Sequence, residues 1–212
     1  MKDIAALVDG YRAFRSESYQ RHRQLYESLA TSRQPARTMI VGCCDSRVDP
    51  ATIFNAGPGE LFVVRNVANL VPPYEPQGLY HGTSAALEFA VTGLGVEHIV
   101  VLGHARCGGI KALLDALHEP DTEGRFVTSW MSIVRGASSV VVRANAGAPP
   151  EVRQRALEHA SITCSLDNLR TFPFVRERIT AKALDLHGAY FDIATGQLEA
   201  LDEATGTYSP VV

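Results

Sequence analysis

The chain has 212 residues, of which 46% are hydrophobic and 20% are charged, and this composition predicts one globular domain with a sizeable core. Its formal charge of -3 gives no electrostatic reason for nucleic-acid binding, and its apolar runs are shorter than the roughly 18 residues of a membrane helix. Asp3 and Asp9 argue against a secretory signal, so we expect a cytoplasmic protein whose four cysteines bind metal or lie buried.

The chain begins with apolar residues at helical spacing, which predicts two amphipathic helices. We expect residues 1–33 to form a helical arm on a single domain that spans 1–212. Short apolar runs then predict strands at 38–43, 60–65 and 97–102. Further helices are predicted for 82–94, 110–117, 127–143, 150–170 and 174–186, with a charged loop over 120–125. A hairpin follows over 188–201, with Thr195 and Gly196 in its turn.

Continuous apolar strands that alternate with helices are typical of a sheet buried on both faces. The sequence therefore predicts an α/β fold with a mainly parallel central sheet flanked by helices, preceded by the N-terminal helices and followed by the C-terminal hairpin. In such sheets, binding sites lie beyond the carboxyl ends of the strands. Cys43 and His104 both come at such ends.

The motif His104-x-x-Cys107 stands in a glycine-rich bend between a strand and a helix. Imidazole and thiolate are both good zinc ligands, and a helix N-terminus favours the thiolate. Cys43 ends an apolar strand that could neighbour the His104 strand, so the three side chains could converge. Three ligands with one open position are typical of a catalytic zinc, whereas a structural zinc would need a fourth ligand, for which Asp45 is better placed than Cys44.

Asp45 and Arg47 are spaced by two, which allows a charge-assisted pair. One interpretation is a surface ion pair of little energetic worth. The other is that Arg47 holds Asp45 off the metal, where the carboxylate accepts a hydrogen bond from the nucleophile. The residues by themselves leave both interpretations open.

Taken together, these motifs resemble the beta-class carbonic anhydrases, which share C-x-D-S-R followed by H-x-x-C. The chain has Cys43-Cys-Asp-Ser-Arg47 and His104-Ala-Arg-Cys107. The resemblance continues through residues 58–74, 165–174 and the hairpin, and so covers nearly the whole chain.

The resemblance implies one zinc ion per chain on Cys43, His104 and Cys107, with Asp45 and Arg47 as the catalytic pair. It implies reversible hydration of carbon dioxide to bicarbonate and a proton by zinc-bound hydroxide. It also implies a homodimer or a dimer of dimers, with active-site clefts at the subunit interface and N-terminal helices that wrap the partner. Neither nucleic acid nor membrane is expected as a partner.

Further positions match substrate-binding residues of the plant-like subtype. Gln34 stands nine residues before Cys43, where that subtype has a glutamine that binds substrate, and we expect it to act from the partner subunit. The remaining substrate-binding positions are Phe62, Val67 and Gly108, together with Phe89, which stands where that subtype often has tyrosine. Ordinary core packing is the alternative role for the two phenylalanines and the valine.

Two alternative functions remain open at the level of sequence. Carbonyl sulfide and carbon disulfide are also linear and apolar, and relatives hydrolyse them with the same metal site. A non-catalytic zinc or bicarbonate-binding protein, with Asp45 as a permanent fourth ligand, would leave Arg47 and Gln34 without a role.

Overall fold

The computed structural model describes residues 3–77, 80–116 and 126–212. Contacts divide the chain into two compact units, Met1–Pro35 and Ala36–Val212. The first unit is helical, and the second is built on a sheet. Within the described ranges, no helix is both long and apolar enough to cross a membrane.

The first unit consists of consecutive helices: α1 (Ile4–Ala13), a π-helical turn (Phe14–Ser18), α2 (Tyr19–Arg21) and α3 (Arg23–Thr31). Asp3 caps α1, because its side chain accepts the N–H of Ala6 at 2.9 Å. The rings of Phe14, Tyr19 and Tyr26 contact one another, with the closest centroids 5.3 Å apart. The helices predicted for this region are confirmed.

The described residues of the second unit form a six-stranded sheet in the order β2-β1-β3-β4-β5-β6. Its strands are β1 (Thr38–Cys43), β2 (Leu61–Asn66), β3 (His98–His104), β4 (Asp185–Phe191), β5 (Leu198–Asp202) and β6 (Thr207–Pro210). The first four strands pair in parallel, and the last two join antiparallel. The predicted α/β fold with a mainly parallel sheet is confirmed; β6 was not predicted.

The second unit contains α4 (Pro50–Ile53), α5 (Gly82–Glu88), α6 (Gly108–Ala116), α7 (Phe126–Met131), α8 (Arg135–Ala144), α9 (Pro150–Leu169) and α10 (Pro173–Thr180). The helix predicted over 82–94 continues from α5 as a π-helical turn, Phe89–Leu94. The helix predicted over 127–143 is interrupted by a 3₁₀ turn, Ser132–Val134. The predicted charged loop over 120–125 lies outside the described residues.

The helix predicted over 174–186 is wrong in its second half. The helix α10 ends at Thr180, and Lys182 adopts the left-handed conformation with φ 53°. The chain then enters β4 at Asp185, which pairs in parallel with β3. The hairpin is confirmed, because β4 pairs antiparallel with β5 and Gly196, in the turn between them, has φ 73°.

The long helix α9 packs on the sheet through Ile162, which is fully buried. A methyl group on Gly103 of β3 would lie 2.6 Å from Cδ1 of Ile162, and one on Gly188 of β4 would lie 2.9 Å from its Cγ2. Both strands therefore need glycine for α9 to approach this closely. This packing sets the distance of α9 from the carboxyl ends of β3 and β4.

Candidate metal centre

Two loops at one edge of the sheet bring three metal-binding side chains together. Cys43 is the last residue of β1, His104 is the last residue of β3, and Cys107 directly precedes α6. Because β1 and β3 are parallel neighbours, their carboxyl ends meet at the same edge. The ligand atoms of the three residues lie within 4.8 Å of one another, and all three residues are buried.

The ring of His104 is oriented for ligation through Nε2. Its Nδ1 lies 2.9 Å from the carbonyl oxygen of Ala105, which can only accept, so Nδ1 carries the proton. The other nitrogen, Nε2, is buried and has no hydrogen-bond partner among the described residues. A buried nitrogen lone pair in this state is suited to a metal ion.

The thiols of Cys43 and Cys107 lie close enough to affect each other's titration. Contact with Cys107, then with His104 and the backbone of Asp45 and Ala68, lowers the pKa of Cys43 to about 4. Contact with Cys43 and burial raise the pKa of Cys107 above its usual range. A cation bound to both sulfurs would stabilise both thiolates.

The segment after β2 packs tightly against the start of α6. Ala68 is fully buried in the left-handed conformation, with φ 62°. The side chain of Asn66 holds the segment by accepting the N–H of Leu70 at 2.9 Å and donating to its carbonyl at 2.8 Å. A methyl group on Gly109 would lie 2.7 Å from Cγ1 of Val67, so only glycine permits this approach.

Asp45 and Arg47 form a bidentate ion pair. Arg47 donates from Nε to Oδ1 at 2.9 Å and from Nη2 to Oδ2 at 2.7 Å, and its backbone N–H also reaches Oδ1. These bonds hold the pKa of Asp45 well below its usual range. The carboxylate is thereby held by Arg47 and is not one of the three residues in the metal-binding cluster.

Arg65 has a role that the sequence did not reveal. Its Nε donates to the carbonyl of Cys43 at 2.9 Å, and its Nη2 donates to the carbonyl of Asp45 at 2.7 Å. The guanidinium thus fixes the backbone at Cys43 and at Asp45, in the first loop of the site. A charged residue inside an apolar strand was the available signal.

Glu158 on α9 is the second residue that the sequence analysis missed. It is 2% exposed and accepts the N–H of Cys107 at 2.9 Å. The available signal was a charged residue on a helix face that otherwise carries core residues such as Ile162 and Leu166, since a buried charge requires partners.

The predicted substrate-binding residues are distributed over the second unit. Val67 packs with the core cluster that contains Cys43 and Cys107, and Gly108 opens α6 directly after Cys107. Their backbone positions border the metal-binding cluster.

The two phenylalanines lie further back. Phe62 pairs with Met39 in the sheet, four positions before Cys43, which corresponds to about 13 Å along the strand. Its ring contacts Phe89, with centroids 5.9 Å apart. Phe89 is 51% exposed. Gln34 belongs to the first unit, and its contact with substrate stays a prediction.

The donor set fits a zinc ion. Two thiol sulfurs and one imidazole nitrogen are the ligand types that zinc prefers, and all three lie in one buried group. A cation at this point would accept the lone pair of the unpartnered Nε2 of His104 and would stabilise the thiolates of Cys43 and Cys107. Three protein ligands leave one coordination position open for chemistry.

The family model described as carbonic anhydrase matches residues 38–198. The chain belongs to the carbonic anhydrase family. It is 36% identical to Beta carbonic anhydrase 3 of Arabidopsis thaliana over 198 residues, which cover 92% of this chain and 76% of that protein. The resemblance to the beta class inferred from the motifs is confirmed.

Solved structures of beta-carbonic anhydrases have the same fold. The structure of the beta-carbonic anhydrase CcaA has a TM-score of 0.90 at 31% identity and covers 99% of this chain and 92% of its own. A tetrameric beta-carbonic anhydrase from the ascomycete Sordaria macrospora has a TM-score of 0.81 at 27% identity, with 96% of both chains covered. As a carbonic anhydrase, the chain is a lyase that reversibly hydrates carbon dioxide to bicarbonate.

Proposed function

We propose that Cys43, His104 and Cys107 hold one zinc ion per chain and that Asp45 and Arg47 complete the catalytic site. The observation that carries this proposal is the buried group of three ligand atoms within 4.8 Å of one another. When bound, zinc supplies a Lewis acid that makes hydroxide available near neutral pH for attack on carbon dioxide.

Asp45 orients the nucleophile in this proposal. Its Oδ1 already accepts two hydrogen bonds from Arg47, whereas Oδ2 accepts one. A carboxylate oxygen accepts about two hydrogen bonds, so Oδ2 keeps a position for the O–H of the nucleophile. With that proton held at Oδ2, the oxygen lone pair is directed towards the carbon of the substrate.

Arg47 positions Asp45 and keeps it ionised. Its Nη2 also donates to the carbonyl of Arg106 at 3.2 Å, in the loop that carries Cys107. The pair is partly exposed, with 48% of the Arg47 side chain and 17% of the Asp45 side chain accessible, which leaves room for the substrate to approach Asp45. Val67 supplies an apolar wall suited to carbon dioxide, and the absence of a side chain at Gly108 leaves space beside Cys107.

Gln34, Phe62 and Phe89 enter the proposal through a second subunit. Phe62 lies about 13 Å back along the sheet from the level of Cys43, its ring contacts Phe89, and Phe89 is half exposed. We propose a homodimer, or a dimer of dimers, in which these side chains and Gln34 line the partner's cleft. The glutamine at this position and the relative from Arabidopsis thaliana support the plant-like subtype.

The N-terminal arm fits such an assembly. Its first helix exposes an apolar face, with exposed fractions of 75% for Ile4, 59% for Leu7 and 61% for Tyr11. Apolar area of this size favours a protein contact, and we propose that residues 1–33 pack on the partner subunit. The tetrameric relative from Sordaria macrospora supports assembly beyond the dimer.

A cytoplasmic location remains part of the proposal. All four cysteines are free thiols, which is typical of a reducing compartment.

Zinc content and carbon dioxide hydration by stopped flow, measured on the same samples, test the proposed site. We expect one zinc per chain in the wild type, and loss of zinc in Cys107→Ser. In Asp45→Asn, zinc should stay while hydration falls about 10²-fold or more, because the amide is a weaker acceptor and loses its ion pair.

Two results would contradict this assignment. Full hydration by Asp45→Asn would remove Asp45 from the site. Stoichiometric zinc without hydration, together with release of hydrogen sulfide from carbonyl sulfide or carbon disulfide, would favour the sulfur-substrate alternative.

A further inference from the structure

A buried carboxylate from a distant part of the chain lies against the backbone of Cys107. Glu158 is 2% exposed and belongs to α9, 51 residues after Cys107. It is not one of the three residues in the metal-binding cluster found among the described residues. A buried carboxylate is costly unless donors surround it, so its partners indicate what it does.

Both oxygens of Glu158 are engaged by donors. Oε1 accepts the backbone N–H of Cys107 at 2.9 Å and Nε2 of Gln154 at 2.9 Å. Oε2 accepts the hydroxyl of Tyr190 at 2.8 Å. Burial raises the pKa of Glu158 and the three donors oppose that shift, while together they leave the carboxyl group little freedom to move.

The backbone of Cys107 is held on both sides of its Cα. Its N–H is bound by Glu158, and its carbonyl accepts Nε2 of Gln154 at 3.3 Å. Glu158 and Gln154 are four residues apart and therefore lie on the same face of α9. With both flanking peptide groups held, the direction of the Cα–Cβ bond of Cys107 is fixed, which limits its sulfur to the few positions that rotation about this bond allows.

The turn that carries Cys107 is one that needs such support. Arg106 adopts the left-handed conformation with φ 57°, which is unfavourable for a residue with a side chain. Its carbonyl is held by Arg47 from the catalytic loop, and the N–H of the same peptide group, that of Cys107, is held by Glu158 from α9. The start of α6 adds a partial positive charge that the carboxylate complements.

We propose that Glu158 is a positioning residue that sets the place of the Cys107 sulfur, and thereby the zinc affinity of the site, through the backbone of Cys107. This inference rests on the proposed zinc site. Glu158 touches neither substrate nor the reacting atoms. Gln154 and Tyr190 assist by holding the carboxylate in its orientation.

The test compares Glu158→Gln with Glu199→Gln. Glu199 is also a buried glutamate, 9% exposed, but its carboxylate binds Arg155 at 2.8 and 3.0 Å instead of the metal-binding loop. The two variants therefore make the same chemical change in two buried places. Thermal unfolding of both variants reports the general loss of stability from that change.

Zinc affinity, measured by competition with a chromophoric chelator, is the deciding readout. We expect the zinc dissociation constant to rise about 10-fold or more in Glu158→Gln, the usual effect of losing an outer partner of a ligand, and to stay unchanged in Glu199→Gln. In zinc-loaded Glu158→Gln, kcat for hydration should fall while KM stays the same, because Glu158 does not contact substrate.

Equal zinc affinity in Glu158→Gln and wild type would overturn the inference, and so would an equal loss in both glutamate variants. If Glu158→Gln does not fold, Gln154→Leu decides, because Gln154 is only partly buried and bonds both Glu158 and the Cys107 carbonyl. Unchanged zinc affinity there would equally reject the positioning role. A wild-type protein that binds no zinc would instead reject the proposed function.

Discussion

The guanidinium of Arg47 binds both carboxylate oxygens of Asp45 and, through the same Nη2, the carbonyl of Arg106. Asp45 follows Cys43 in the first loop of the site, and Arg106 precedes Cys107 in the second. One side chain therefore connects the proposed catalytic carboxylate to the loop that carries a proposed metal ligand. A disturbance at Arg47 is expected to change the geometry of both loops.

Replacement of Arg47 by lysine tests this connection. Arg47→Lys keeps the charge, but an ammonium group cannot bind two carboxylate oxygens and a carbonyl in one plane. We expect kcat for hydration to fall about 10-fold or more while zinc content stays unchanged. Stopped-flow kinetics on zinc-assayed samples measure both quantities, and wild-type kcat in this variant would show that bidentate geometry is irrelevant.

Gly109→Ala should destabilise the protein. The added methyl group would lie 2.7 Å from Cγ1 of Val67 and 3.2 Å from Cβ of Ala68, both in a tightly packed segment. We expect the free energy of unfolding to fall by about 1–3 kcal/mol. Urea unfolding measures this loss. The neighbouring Gly108→Ala is the control, because its methyl group would meet no atom within 4 Å and should change that free energy by less than about 1 kcal/mol.

Gly103→Ala should be partly rescued by Ile162→Val. The methyl group on Gly103 would lie 2.6 Å from Cδ1 and 2.8 Å from Cγ1 of Ile162. Valine lacks Cδ1 but keeps Cγ1, so the rescue should be only partial. In a double-mutant cycle on unfolding free energies, we expect a favourable coupling of about 0.5–1.5 kcal/mol.

The same cycle with Gly188→Ala supplies the comparison. Its methyl group would meet Cγ2 of Ile162, which valine keeps, and also Cβ of Leu201 at 3.0 Å. We therefore expect the two changes to add without coupling. Equal coupling for both glycines would contradict the assigned contacts.

Because His159 is partly buried in its neutral form, the free energy of unfolding should fall as the solution becomes acidic. Burial, with a contribution from Arg155, lowers the pKa of His159 from 6.5 to about 4, while the unfolded chain keeps the ordinary value. Between these two values the unfolded state binds more protons, so the stabilisation is complete above about pH 6.5 and is lost progressively as the pH falls towards about 4.

The variant His159→Phe isolates this effect, because phenylalanine can keep the stacking on Tyr208, whose ring centroid lies 3.9 Å away. We compare the free energy of unfolding of wild type and variant at about pH 7.5 and about pH 5. The wild type should lose about 2 kcal/mol more than the variant over this interval. Equal losses would show that His159 is not buried in its neutral form.

Most of the strands and the parallel sheet could be predicted from local pattern. β1 contains Met39, Ile40 and Val41, all at most 1% exposed, and such a continuous apolar run is typical of a parallel strand that is buried on both faces. The hairpin turn at Gly196 could be placed for a similar local reason, since its φ of 73° favours glycine. The predicted helix was wrong after Thr180. The apolar residues that follow are compatible with a helix, and their pattern does not show that the chain instead pairs with β3 from Asp185.

The order of most strands and helices, and the motifs around Cys43 and His104 that indicate the family, can be read from the amino-acid sequence alone. These features depend on neighbours within a few residues, so their spacing carries the information. Tertiary structure alone decided that Arg65 holds the Cys43 loop, that Glu158 holds Cys107, and that Phe62 lies against Phe89. Such contacts join positions far apart in the chain, and only the packing of α9 and β2 on the sheet brings their atoms within hydrogen-bond or ring-contact distance.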